Sequence, residues 1–198
     1  MRVRKLGAVI AAFATAAALN ACGGSAPSPS VATLVGSGKA AFNRGNFKAS
    51  IELFEQALAK APTDAAAYYD LGTVYQAERL DGDALHDYAK ALTYDSSLVP
   101  AIYNEATIYA ANDVPLAIYL YRRVIALRAN SPTAYLNLGL LEATEGQQTV
   151  AAADLRRAVQ LEPALRTSIP ASLVPDLSIP SPPSSSGKGQ HPSATTSP

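Results

Sequence analysis

Tyr68-Tyr69-Asp70-Leu71-Gly72 is one of four versions of a single phrase in this chain. Aligned on their first and last residues, the four read Leu34-x-x-Ser37-Gly38, Tyr68-x-x-Leu71-Gly72, Ile102-x-x-Glu105-Ala106 and Tyr135-x-x-Leu138-Gly139, with starts 34, 34 and 33 residues apart. Each phrase is followed by a second helical pattern of constant spacing. It runs Ser50, Phe54, Ala57, then Ala84, Tyr88, Ala91, then Ala117, Tyr121, Val124, and last Ala151, Leu155, Ala158. Residues three, four and seven apart share one face of a helix, so each unit holds two amphipathic helices. The small residues Gly38, Gly72, Ala106 and Gly139 let those two helices cross closely, while Tyr, Phe and Leu fill the space between units. Pro62 and Pro163 close the first and last units, where Ser96 and Ala129 stand in the middle two.

The turn chemistry agrees with that division. Gly45 and Gly146 are suited to ending first helices, and Gly82 is expected between the helices of the second unit. Ser131-Pro132 reads as a helix start with proline at the first helical position. The missing residue of the third unit falls in the Asn112-Asp113-Val114-Pro115 turn, where a deletion disturbs packing least. A period near 34 with two helices per unit resembles the tetratricopeptide repeat family, and the resemblance covers residues 31–165 as units 31–64, 65–98, 99–131 and 132–165. It implies an all-α, right-handed superhelical solenoid of about four helix-turn-helix repeats, because no single unit can bury its own apolar face.

In that family the usual binding surface is the concave groove lined by the first helices. The positions turned away from the packing stripe are Val35, Lys39 and Phe42, then Tyr69, Asp70, Thr73 and Gln76. Units three and four add Tyr103, Asn104 and Thr107, then Leu136, Asn137 and Leu140. Tyr69 and Tyr103 are register-equivalent, as are Asp70, Asn104 and Asn137. The resemblance implies that an asparagine here hydrogen-bonds the backbone of an extended peptide, a task suited to an amide with both donor and acceptor. The groove set expected to hold a peptide is therefore Lys39, Tyr69, Asp70, Thr73, Gln76, Tyr103, Asn104, Thr107 and Asn137. Its only cation is Lys39, so it does not resemble the basic clamp that some relatives use for a terminal carboxylate.

Upstream of the repeats stands the one cysteine of the 198 residues. Arg2, Arg4 and Lys5 precede an uncharged apolar run, Leu6 to Ala18, too short for a confident membrane span and suited to an export signal. Leu19-Asn20-Ala21-Cys22 resembles the lipobox of bacterial lipoproteins. That resemblance implies cleavage after residue 21 and a diacylglyceryl group on Cys22, which places the protein outside the cytoplasm. It would be anchored at a bacterial cell membrane or outer membrane, facing the periplasm or the exterior. Residues 22–30 read as a short tether, and 166–198 as a Pro/Ser-rich, low-complexity tail. Within that tail Ile169, Leu173, Val174, Leu177 and Ile179 suggest that residues 164–180 lie as an irregular strap over the end of the fourth unit.

From Cys22 onward the chain has 13 basic and 16 acidic residues, a net charge of −3, with no concentrated basic surface to attract nucleic acid. His86 and His191 are the only histidines, and there is no phosphate-binding glycine loop, no HExxH and no second cysteine. No catalytic role, metal, cofactor or small-molecule substrate is expected; His86, beside Asp83 and Asp87, reads as a solvated side chain. Arg122-Arg123 and Arg156-Arg157 share a register and are expected to form a basic stripe on the second helices. The function these readings imply is a lipid-anchored envelope scaffold that binds a protein or peptide partner, in the manner of assembly factors for pili and secretion systems. The alternative is a non-catalytic accessory subunit of an envelope or cell-wall enzyme.

Overall fold

Four of the eight described α-helices have their start written into the residue just before them. Ser30, Asn46, Asp64 and Asp113 each place a side-chain oxygen on a free backbone N–H of the following turn. Proline enters the first turn of two other α-helices and joins the Asp113 cap in a third. The computed structural model describes residues 28–174. Its helices are α1 (Val31–Asn43), α2 (Phe47–Lys60), α3 (Ala65–Ala77), α4 (Asp81–Tyr94), α5 (Val99–Tyr109), α6 (Val114–Leu127), α7 (Pro132–Thr144) and α8 (Gln148–Leu161), followed by a 3-10 turn at Pro163–Ser168. The described residues form no strand. The four pairs are the four units read from the sequence, and the chain folds as an all-helical solenoid of tetratricopeptide type.

Each helix packs chiefly on its neighbours in sequence, most extensively within a pair. The close crossing has a direct cause. A methyl group at Gly72 would lie 2.8 Å from the Tyr88 ring, and one at Gly139 would lie 2.8 Å from Leu155 Cγ. Both approaches are nearer than carbon atoms tolerate, so the bare backbone is what admits the large side chain opposite. Ser50 takes the same kind of crossing in the first unit. It is fully buried and donates to the Gly38 carbonyl at 3.0 Å.

One turn expectation is corrected. Gly82 lies in the first turn of α4, not between the helices. The left-handed position of that turn belongs to Arg79, at φ 65°, in register with Gly45 at φ 73° and Gly146 at φ 75°. The backbone path of the repeat fixes where the left-handed residue falls, and unit two fills it with a side chain that usually avoids that region. The third unit, one residue shorter, has no positive φ at its turn.

The end of the array is covered by the chain itself. Ile169 is buried with Leu136, Ala152, Leu155, Ala158 and Val159, and Leu165, Leu173 and Val174 pack around them. The strap over unit four is therefore present from residue 164 to 174; residues 175–180 lie outside the described residues. Closing a terminal repeat in this way removes apolar area that would otherwise face water.

Candidate functional site

The face presented by α1, α3, α5 and α7 holds three concave pockets along its length. The first, of about 240 Å³, is lined by Lys39, Phe42, Asn43, Phe54, Tyr69, Asp70 and Thr73. The second, of about 260 Å³, brings Tyr69, Tyr103 and Asn104 together with Arg128 and Thr133. The third, of about 240 Å³, is lined by Thr107, Ala110, Tyr121, Asn137, Leu140 and Leu141. Eight of the nine groove residues read from the sequence line one of these pockets. The ninth, Gln76, is tied down beside them.

What the groove asparagines touch differs from a free binding surface. Asn104 Nδ2 donates to the Tyr88 hydroxyl at 2.9 Å, and that hydroxyl in turn donates to Gln76 Oε1 at 2.7 Å. Asn137 Nδ2 lies 3.1 Å from the Tyr121 hydroxyl and 2.9 Å from that of Tyr103, donating to both oxygens. Thr107 joins Tyr121 at 3.1 Å while also bonding the Tyr103 carbonyl, and Thr73 donates to the Tyr69 carbonyl. Tyr88 and Tyr121 are almost wholly buried, and burial pushes both phenols above their ordinary pKa. A buried hydroxyl needs a partner, and the next unit supplies it. The amide N–H₂ of each asparagine is thus engaged inside the fold, with both N–H groups used at Asn137 and one at Asn104.

Asp70 holds the same register position as these asparagines but has no tyrosine to meet. The residue sixteen before it is Phe54, where Tyr88 and Tyr121 stand sixteen before Asn104 and Asn137. Its Oδ2 is buried and accepts no hydrogen bond of good geometry; the Lys39 ammonium, itself half exposed, lies 3.0 Å away. Burial raises the Asp70 carboxyl above the usual carboxylate range, with Lys39 pulling the other way. Tyr69 leans on Tyr88 with ring centroids 5.9 Å apart, and Tyr103 meets Tyr121 edge-on at 5.5 Å. The groove tyrosines are therefore braced from below, rigid rather than loose.

The opposite face corrects the expectation of a free basic stripe. Arg122 pairs with Glu142 at 2.7 Å, a carboxylate with no exposed surface. Arg123 donates to the Ser96 carbonyl, and Arg156 donates to the Ala152 carbonyl of its own helix at 3.0 Å. Arg122 and Arg123 thus stitch neighbouring units together, and Arg156 bonds within its own helix, so their donors are not all turned to solvent. Sequence reading also missed the acids beneath them. Burial first, and then the neighbouring Glu142, push the Asp154 carboxyl up to about 7, with Arg122 opposing. Glu142 Oε2 is buried without a partner. Burial likewise raises buried Asp87 to about 6, while His86 beside it is exposed.

No group of three or more metal-ligating side chains occurs among the described residues, and no described helix is long and apolar enough to cross a membrane. Cys22 lies outside the described residues.

The tetratricopeptide repeat model matches residues 35–100 and 109–165. The chain belongs to the tetratricopeptide repeat family. It is 31% identical over 110 residues to the photosystem I assembly protein Ycf3 of Cyanophora paradoxa, a match covering 52% of this chain and 62% of that relative. The chain thus spans less than two thirds of the length of the curated relative it matches. Among solved structures it is similar to MamA, with TM-score 0.63, 23% identity and coverage of 69% of this chain and 81% of MamA. It is also similar to YrrB, described as a TPR protein with an unusual peptide-binding site, with TM-score 0.60, 20% identity and coverage of 66% and 68%. At these identities the two structures speak for the fold alone. Members of the family are generally non-catalytic scaffolds for protein–protein contact, and the fold suits a protein or peptide partner.

Proposed function

We propose that this protein is an exported, lipid-anchored scaffold that holds an extended segment of a partner protein in its concave groove, in the assembly of an envelope complex such as a secretion or pilus system. The observation that carries the groove reading is the continuous row of Tyr69, Asp70, Tyr103, Asn104 and Asn137 along three adjoining pockets. Asn104 and Asn137, tied through their N–H₂ groups, leave amide carbonyl oxygens that can accept from the backbone N–H groups of an extended peptide. Rigid tyrosines lose little side-chain entropy on contact, which favours binding by a preformed surface. That a relative is a photosystem I assembly protein is consistent with a role in assembly. The anchor rests on the lipobox-like Leu19-Asn20-Ala21-Cys22.

A photo-crosslinking amino acid placed at Thr107 should capture a partner in cells, whereas the same group at Tyr119, 62% exposed on α6, should not. Equal capture at both positions would remove the groove from the account. For the anchor, Cys22→Ala should abolish fatty-acid labelling and release the protein from membranes, since two acyl chains at about 0.8 kcal/mol per methylene suffice for stable attachment. A wild-type chain that takes up no label would refute it.

A further inference from the structure

The first pocket differs from the other two in one chemical respect. Where the later joints place an amide tied to a tyrosine hydroxyl, it places a carboxylate over the hydroxyl-free ring of Phe54. Its walls are the rings of Phe42, Phe54 and Tyr69, and its single charged seat is Asp70, 13% exposed, with Oδ2 accepting no well-formed hydrogen bond. An acid so enclosed is costly unless a cation meets it. The Lys39 ammonium reaches Oδ2 from the rim, on a side chain 55% exposed. Lys39 therefore shows that the seat accepts a cation and, being mostly solvated, can be replaced there. The surroundings favour the same sign: unit two carries six acids against Arg79 and Lys90.

We propose that the pocket formed by Lys39, Phe42, Phe54, Tyr69 and Asp70 is a subsite for a basic side chain of the partner segment, arginine before lysine, with Lys39 as its resident placeholder. A guanidinium is planar and weakly hydrated, stacks on aromatic rings, and offers several N–H donors where an ammonium from the rim offers one poorly aligned contact. On entry it takes over Asp70, and Lys39 swings into solvent. This inference rests on the groove reading and sharpens it, because it fixes which end of the groove receives the basic residue.

The test is selection by the full chain, purified in detergent, from a library of acetylated, amidated heptapeptides with one residue fixed at a time. At one position arginine should be enriched by about fivefold over its neutral isostere citrulline, the size expected of one partly screened ion pair with aromatic contact. Asp70→Asn should abolish that preference with its thermal unfolding unchanged, and Lys39→Met should strengthen it by freeing the seat. The opposite signs of the two variants separate a binding seat from a merely structural pair, which neither change would turn into altered peptide choice. Peptides retained without an arginine preference, or with one that both variants leave intact, would overturn the subsite and leave the groove standing. Failure to retain any peptide would remove both. An arginine preference seen only after Lys188→Gln in the full chain would identify the chain's own tail as occupant and overturn the partner version.

Discussion

The joint between units one and two and the joint between units three and four share a backbone register and differ in one facing pair, Phe54 with Asp70 against Tyr121 with Asn137. At the later joint Tyr121 ends in a hydroxyl that Asn137 must satisfy, so the groove residue is bound inward. At the earlier joint Phe54 ends in a ring, and Asp70, left without that partner, depends on Lys39 across the mouth of a pocket. The same helical geometry thus yields a strut in one place and a receptive site in the other. Whether a groove residue is tied inward through a tyrosine hydroxyl is decided by the residue sixteen positions before it.

Breaking the strut should have the largest effect. Asn137→Ala leaves the Tyr103 and Tyr121 hydroxyls without their donor, and at roughly 0.5–1.5 kcal/mol per net hydrogen bond should cost about 1–3 kcal/mol in urea unfolding. Asp70→Asn, at the matching position, should change stability by less than about 0.5 kcal/mol, because it loses an ion pair and a desolvated charge together. Similar losses at the two sites would end the distinction between them.

Two buried or partly buried acids, Asp87 on α4 and Asp154 on α8, should show next, through pH. Asp154 at about 7 and Asp87 at about 6 both keep protons in the folded chain that the unfolded chain, near 3.9, has already released. Between about pH 4 and 7 the native state therefore binds more protons, and stability falls as pH rises through that window. After discounting for the partly solvated position of Asp154, the fall should be on the order of 1–2 kcal/mol, read as a higher melting temperature at pH 5 than at pH 7.5. Asp154→Asn should flatten the slope; an unchanged profile would show that the Glu142–Asp154 pair does not hold its proton.

A smaller change would convert one joint into the other. Phe54→Tyr combined with Asp70→Asn supplies both ends of the missing strut and should stabilise the first joint by about 0.5–1.5 kcal/mol, seen in the urea midpoint. A double variant less stable than wild type would mean that the first joint is too tight for the hydroxyl. Lys39→Met alone should lower stability by less than about 1 kcal/mol, as expected for a pair with one partner mostly in water.

The solenoid was legible in the sequence because its signal is repetition. Four phrases 33–34 residues apart constrain one another, and Gly38, Gly72 and Gly139 announce close crossings that the structure contains. The groove residues followed from helical spacing, which says which face a side chain joins. Spacing does not say what it bonds to. Asn104 and Asn137 were read as open amides, although Tyr88 and Tyr121 stood sixteen residues before each; that interval crosses from one unit to the next, and only packing shows that it closes. Arg122 looked solvated because its partner Glu142 lies twenty residues away on a first helix, where a buried carboxylate has no apolar periodicity to reveal it. Gly82 misled because glycine marks a permitted turn, while Arg79 carries the turn that the backbone adopts.

The strap of Ile169, Leu173 and Val174 gives the array a direction of growth. With the hydrophobic end of unit four already occupied, a fifth repeat cannot be appended after residue 165 without evicting Ile169 from its seat. An extra copy of residues 99–131 spliced in after residue 131 meets no such obstacle, because it carries its own Asn104 to receive one neighbour and its own Tyr121 to greet the next. Lengthening the chain from within would extend the groove by one more amide rung and leave both ends as they are.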